Sequence, residues 1–165
     1  MPLRPVTDQD ISLLHTWRNA EGVRKSMYTQ HEISKEEHQQ WWKTQKDRTD
    51  RIHLIYEEDN IPLGYVGFSD INILHGRAEW AFYAGTNAPK GIGRAMEKAA
   101  LAYAFTTLNL HKLCCEVLEY NDRVVRLHKA FGFVEEGVLR EHMHINGIRH
   151  NVVLLSMLKS EWKGI

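Results

Sequence analysis

The stretch from Ala78 to Leu108, AEWAFYAGTNAPKGIGRAMEKAALAYAFTTL, limits the possible folds of this chain more than any other. Glu79 to Ala84 is a short β-prone run holding Trp80, Phe82 and Tyr83, and Gly85 to Lys90 is turn chemistry. Ile92, Ala95, Met96, Ala99, Tyr103 and Leu108 then recur at helical spacing. The pattern predicts a strand, a glycine-bearing turn and a long helix in direct succession. Gly91 and Gly93 at the helix entry let the backbone approach a ligand without Cβ interference. First-turn N–H groups that lack intrahelical partners, together with the positive end of the helix dipole, favour an anion there, and a phosphate is the expected guest.

The common nucleotide motifs do not fit this turn. A dinucleotide fingerprint needs a third glycine where Met96 stands, and a Walker A loop needs a Gly-Lys-Ser/Thr ending that is absent. On these residues alone the turn is either a pyrophosphate cradle or a plain helix entry.

A chain of 165 residues with 43% hydrophobic composition has the size of one domain with a proper core, so residues 1–165 are expected to carry the whole function. Charge is balanced at 21 basic against 21 acidic residues, which supplies none of the basic field of a nucleic-acid binder. No apolar run approaches a membrane span, and the N-terminus lacks a signal-peptide pattern. Cys114 and Cys115 are adjacent in a predicted strand and point to opposite faces, so neither a disulfide framework nor a metal site is expected. A reducing cytoplasm fits that usage.

The remaining elements read in order. Leu3 to Val6 is a short strand, and Thr7 with Asp10 forms a capping box for a helix presenting Ile11, Leu14 and Trp17. Gly22 is expected to break that helix. Ser34 with Glu37 caps a second one carrying His38, Trp41 and Trp42. Ile52 to Tyr56 and Leu63 to Ile71 are strands joined by the polar turn Glu57 to Asn60. After the central strand and helix come a strand at Lys112 to Leu118 and a helix capped by Asn121 or Asp122 and stopped at Gly132. A hairpin, Val138 to Ile145 and Ile148 to Leu158, closes on Asn146-Gly147 and offers a surface that could pair two copies.

Two segments in correct order and spacing carry a resemblance. Lys90-Gly91-Ile92-Gly93-Arg94 resembles the closing half of the acetyl-CoA loop of the GNAT superfamily of N-acetyltransferases, Gln/Arg-x-x-Gly-x-Gly/Ala, with Ala88 where Gln or Arg is usual. NDRVVRLHKAFGF, Asn121 to Phe133, is similar to that superfamily's Asn-x-x-Ala-x-x-Leu-Tyr-x-Lys-x-Gly-Phe block at Asn121, Leu127, Lys129, Gly132 and Phe133. The resemblance implies an α/β (α+β) fold with one mixed sheet of about seven strands, splayed at its centre and flanked by about four helices. It also implies acetyl-CoA as co-substrate, without a metal. The pantetheine arm would lie along the strand backbone at Phe82 and Ala84, the pyrophosphate on Lys90 to Arg94, and further contacts at Asn121 and Lys129.

Acyl transfer to an amine needs a base to deprotonate the amine and an acid for the departing thiolate. Glu116, sharing strand parity with Cys114 and Leu118, is the candidate base, and apolar neighbours there would raise its pKa; the alternative is a glutamate on a solvated edge. His128 stands where GNAT enzymes commonly place a tyrosine acid; the alternative is a half-buried helix residue.

The segment Trp17-Arg18-Asn19, Arg24, Met27, Tyr28 and Glu37-His38, with LHKLCCEVLEYN, resembles the GNAT branch that acetylates the 4-amino group of a UDP-linked 4-amino-4,6-dideoxy sugar in pseudaminic acid synthesis, on the way to flagellin glycosylation. The resemblance implies that Arg18 and His38 contact the nucleotide, with Ser69, Asp70 and Tyr83 lining the same groove. Guanidinium and imidazolium suit phosphate, whereas Asp70 suits a ribose or amine. Arg18 could equally end a helix in a salt bridge, and Trp17, Trp41 and Trp42 are expected in the core. Ribosomal-protein N-terminal acetyltransferases share the Trp-Arg-Asn segment and the final hairpin, and a non-catalytic acetyl-CoA sensor is the alternative of another class.

Overall fold

The computed structural model of the chain describes residues 1–164. Its sheet is laid down by turns whose chemistry is local. Asp59 and Asn60 take φ of 51° and 63° at the tip joining β2 (Ile52–Glu58) to β3 (Ile61–Asn72). Asn146 and Gly147, at 50° and 79°, join β6 (Val134–Ile145) to β7 (Ile148–Leu158). Two left-handed residues in succession give a turn whose twist matches that of the strands, so each hairpin is fixed by its own tip.

With β1 (Leu3–Pro5), β4 (Arg77–Ala84) and β5 (Lys112–Leu118), these strands form one seven-stranded sheet in the order β1-β2-β3-β4-β5-β7-β6. All neighbours are antiparallel except β4 and β5, which run parallel through three pairs only, ending at Glu79 opposite Cys114. Beyond that pair β4 stays bonded to β3 and β5 to β7, and the two halves of the sheet part. The expected splay is therefore a change of partner: Trp80 to Ala84 and Cys115 to Leu118 each keep one hydrogen-bonding edge free of a strand neighbour.

Among the described residues five α-helices flank the sheet: α1 (Ile11–Asn19), α2 (Glu21–Arg24), α3 (Lys35–Gln45), α4 (Ile92–Ala102) and α5 (Asp122–Phe131). The one beyond the expected four is the single turn α2. It corrects the expected break at Gly22: α1 stops at Asn19 because Ala20 turns to ψ 134°, and Gly22 lies inside the next turn. The capping box at Thr7 is present, with the Asp10 carboxylate accepting from the Thr7 N–H at 2.8 Å and its hydroxyl at 2.9 Å. At α3 it is half present. Ser34 Oγ accepts from the Glu37 N–H at 3.1 Å, but the Glu37 carboxylate turns to His31 Nε2 at 3.0 Å.

One core lies between the sheet and helices α4 and α5, and a smaller one joins Ile11, Leu14, Trp17 and Trp42 to Ile55 on the other face. Met96 fits against β3 because position 64 is glycine: a Cβ there would lie 2.3 Å from the Met96 methyl. The helix expected to reach Leu108 is α-helical to Ala102 and π-helical from Tyr103 to Thr107. Strand β6 begins at Val134, ahead of the expected Val138. Cys114 is half-buried and Cys115 buried, on opposite faces as strand alternation requires. Among the described residues no helix is long and apolar enough to cross a membrane, and no group of three or more His, Cys, Asp or Glu could hold a metal.

Candidate active site

The parting of β4 and β5 opens a cleft of about 1030 Å³. Its walls are the free edges of the two strands, the turn from Pro89 to Arg94, the inner side of α5 and, opposite these, the segment Gly22 to Tyr28. That volume accommodates a long thioester arm and an acceptor together.

At one end Gly91 caps α4 with φ 92°, a left-handed conformation that disfavours any side chain, and the space a Cβ would enter is open. Lys90, Ile92, Gly93 and Arg94 line the same end. Among the described residues neither Lys90 nor Arg94 takes part in an ion pair; the Arg94 guanidinium lies over the Phe131 ring at 5.3 Å. Two cations beside an open helix N-terminus suit a pyrophosphate. Phe82 and Ala84 present the free backbone edge of β4, and Asn121, whose side chain makes no cap bond, faces in from the start of α5. The residues therefore fit coenzyme A. Lys129 does not join them: it is ion-paired to Glu135 at 2.6 Å and is no part of the cleft wall, because its place on α5 turns it toward β6.

In the crotch of the fork the cleft is acidic. Asp70, Glu79 and Glu116 all line it. Glu116 is exposed rather than packed among apolar neighbours, contrary to expectation, and its partner is the Tyr28 hydroxyl, which donates to Oε2 at 2.5 Å. Desolvation falls instead on Glu79, whose carboxyl is pushed up by burial and then by the charges of Glu116 and Asp70. Burial, with the Glu116 carboxylate beside it, also raises the Tyr28 hydroxyl. Asp70 reaches this place from a β-bulge where its own φ is 49°.

His128 lines the opposite wall at 3% exposure. Its Nδ1 is 2.8 Å from Oε1 of Glu97, a residue with no exposed surface at all. Burial pushes the Cys114 thiol up to about 11 and that of Cys115 still higher, so neither supplies a ready thiolate.

The acceptor residues divide. Ser69, Asp70 and Tyr83 line the cleft, and Tyr83 stacks on Tyr65 with centroids 4.9 Å apart. Arg18 and His38 are not on its wall. Arg18 stands behind Tyr83, half-buried, with Nη2 donating to the Thr29 carbonyl at 2.9 Å and Nη1 unpartnered. His38 is buried under Trp41 at 5.1 Å, and desolvation, with His15 and Arg18 nearby, brings it down to about 4. A neutral imidazole in that place is no phosphate ligand, because packing and not solvent surrounds it. Trp17 and Trp42 are buried as expected.

No motif marks Glu79, the Tyr28 partner of Glu116, or Glu97 in the sequence. Only Glu97 carried a local signal: it lies on the stripe Gly93, Ala100, Leu101 and Ala104, where a charge is out of place.

The family model described as Acetyltransferase (GNAT) domain matches residues 1–134. The spermidine N(1)-acetyltransferase of Vibrio cholerae is 30% identical over 164 residues, 98% of this chain and 95% of that protein. Acetyltransferase PseH of Campylobacter jejuni is 27% identical over 141 residues, 85% of this chain and 87% of that protein. The crystal structure of spermidine N-acetyltransferase from Vibrio cholerae in complex with CoA and spermine superposes with a TM-score of 0.89 at 29% identity, covering 96% of this chain and 95% of that one.

Proposed function

The chain belongs to the GNAT acetyltransferase family and is an acetyl-CoA-dependent N-acetyltransferase, and from that premise we propose that its acceptor is the 4-amino group of a UDP-linked 4-amino-4,6-dideoxy sugar. The observation that carries this reading is the acidic end of the cleft, lined by Asp70, Glu79 and Glu116 beside the open edge of β4. Carboxylates at Asp70, Glu79 and Glu116 suit the ammonium of the acceptor, and Arg18, half-buried off the cleft wall with one buried nitrogen unpartnered, is the candidate contact for a phosphate at the end beyond Tyr83. An acceptor carrying both an amine and a diphosphate satisfies both ends. The segment from Trp17 to His38 that resembles the sugar branch supports the same reading, and so does the likeness to PseH.

Coenzyme A supplies the activated acetyl group; the rest is the work of the chain. Gly91, Gly93, Lys90 and Arg94 hold its phosphates, and the free edge of β4 at Phe82 and Ala84 aligns the arm. Glu116, beside the desolvated Glu79, takes the amine proton. Backbone N–H groups of the open β4 edge face the carbonyl oxygen as it gains charge. His128 faces the sulfur side. The enzyme is a cytoplasmic one in this reading, and two copies would associate through the β6–β7 hairpin, an assembly that light scattering tests directly.

The same carboxylates favour a second reading, a polyamine acceptor, which the likeness to the Vibrio cholerae enzyme supports. A polyamine leaves Arg18 uncompensated. Thiol release from acetyl-CoA with three acceptors decides: a UDP-4-amino-4,6-dideoxy sugar, spermidine, and a peptide with a free α-amine. Turnover with the sugar is expected. Turnover with spermidine alone moves the acceptor to the polyamines, turnover with the peptide alone to protein N-termini, and coenzyme A binding with no turnover on any amine would mark a sensor.

A further inference from the structure

Helix α4 buries a carboxylate for which the packing has no use. Glu97 is completely enclosed, and its surroundings on the helix stripe are Gly93, Ala100, Leu101 and Ala104. An enclosed carboxylate is costly unless paired, and well-packed apolar side chains commonly serve stability as well or better. Glu97 makes one side-chain bond, Oε1 to His128 Nδ1 at 2.8 Å, and Oε2 has no partner. The His128 ring is held on its other sides by Trp80, Phe82 and Phe133, with centroids 5.3, 6.0 and 5.1 Å away. With Nδ1 committed to Glu97 and the ring unable to swing, Nε2 is the nitrogen left for a ligand in the cleft that His128 lines.

We propose that Glu97 is a positioning residue: by accepting the Nδ1 proton of His128 it holds the imidazole so that Nε2 delivers a proton to the coenzyme A sulfur. As the amine nitrogen bonds to the acetyl carbon and the carbon–sulfur bond breaks, the electron pair leaves on sulfur and takes the Nε2 proton. His128 is left neutral with Nδ1 still donating to Glu97, and it regains a proton from solvent. The amine proton departs separately, toward Glu116. The logic is that of a carboxylate fixing a histidine by its far nitrogen. It rests on acetyl transfer from coenzyme A and not on the identity of the acceptor.

The test compares Glu97→Gln, Glu97→Met and His128→Gln in the full chain, with whichever amine the wild-type protein acetylates. Each single substitution is expected to lower kcat by on the order of 10- to 100-fold with the KM for acetyl-CoA unchanged. Glu97→Gln combined with His128→Gln is expected to be no slower than His128→Gln alone. Glu97→Met places an apolar side chain in an apolar site, so it reports on activity even if the glutamine variant folds poorly. Wild-type kcat in a folded Glu97→Met, an acetyl-CoA KM that rises in step with any loss of kcat, or additive losses in the double variant would each overturn the proposal. Independently of any acceptor, ¹⁵N imidazole spectra of the wild-type protein are expected to show His128 protonated at Nδ1. A bare Nδ1 would overturn it equally.

Discussion

The hydroxyl of Tyr28 donates to the carboxylate of Glu116 at 2.5 Å across 88 residues of sequence. The bond ties the segment after α2 onto the strand that carries the candidate base, so one side of the cleft is closed through Glu116 itself. Glu116→Gln is expected to lower kcat by on the order of 10²-fold with little change in either KM. Tyr28→Phe is expected to act mainly on the acceptor, raising its KM while leaving that of acetyl-CoA alone. Steady-state kinetics with each substrate varied separately checks both, and an acetyl-CoA KM that moves with Tyr28→Phe refutes the division.

Gly91 stands at φ 92° with open space where a Cβ would point. Gly91→Val meets no neighbour there, so its cost comes from a left-handed backbone that a β-branched residue resists and from occupying the approach of the phosphates. Coenzyme A binding measured by calorimetry is expected to weaken by on the order of tenfold or more. Unchanged affinity would reduce the loop to a helix entry.

Arg18 has one nitrogen without a partner, and burial holds its pKa below the usual arginine range. Arg18→Ala is expected to raise the KM for the nucleotide sugar by about tenfold, the scale of one charge-assisted hydrogen bond, with acetyl-CoA unaffected. The same substitution is expected to leave spermidine turnover unchanged or improved, because a repulsive charge is removed. An unaltered sugar KM would remove the diphosphate from this end of the groove.

His38 and His53 are both held at about 4, His38 by burial and then His15 and Arg18, His53 by burial and then Arg51. In the unfolded chain each takes its proton near 6.5. Between these values the unfolded state binds more protons than the folded one, so stability falls as pH drops from 6.5 toward 4. The slope is at most about 1.4 kcal/mol per pH unit for each ring. Urea midpoints at pH values across this window are expected to show that decline. His38→Phe, which keeps the stacking on Trp41, is expected to make it shallower; an equal slope in that variant would show the ring to be charged in the fold.

Much of the fold was legible because its determinants are local. The turns at Asp59-Asn60 and Asn146-Gly147, the stop at Gly132 with φ 105°, and the bounds of β5 at Lys112 and Leu118 each depend on a few residues' own backbone preferences. The break expected at Gly22 failed because glycine is permitted in a helical turn without requiring an end, whereas Ala20 took the extended conformation. For the cofactor end the same holds: Phe82, Ala84, Gly91, Gly93 and Arg94 fall along one strand, turn and helix entry, and all of them line the cleft.

The acceptor end was not legible in that way. By itself the sequence determined most of the elements, their order, a glycine-bearing helix entry suited to an anion and the family resemblance, since periodicity, turn chemistry and motif spacing are properties of neighbours along the chain. Only the tertiary structure decided that Glu116 meets Tyr28, that Glu97 is sealed against His128, that Lys129 turns to Glu135, and that His38 lies under Trp41 while Arg18 keeps a buried nitrogen without a partner. Those pairings depend on which strand lies beside which and where β4 and β5 part after Glu79 and Cys114, and a packing arrangement of that kind belongs to the whole sheet rather than to any segment of it.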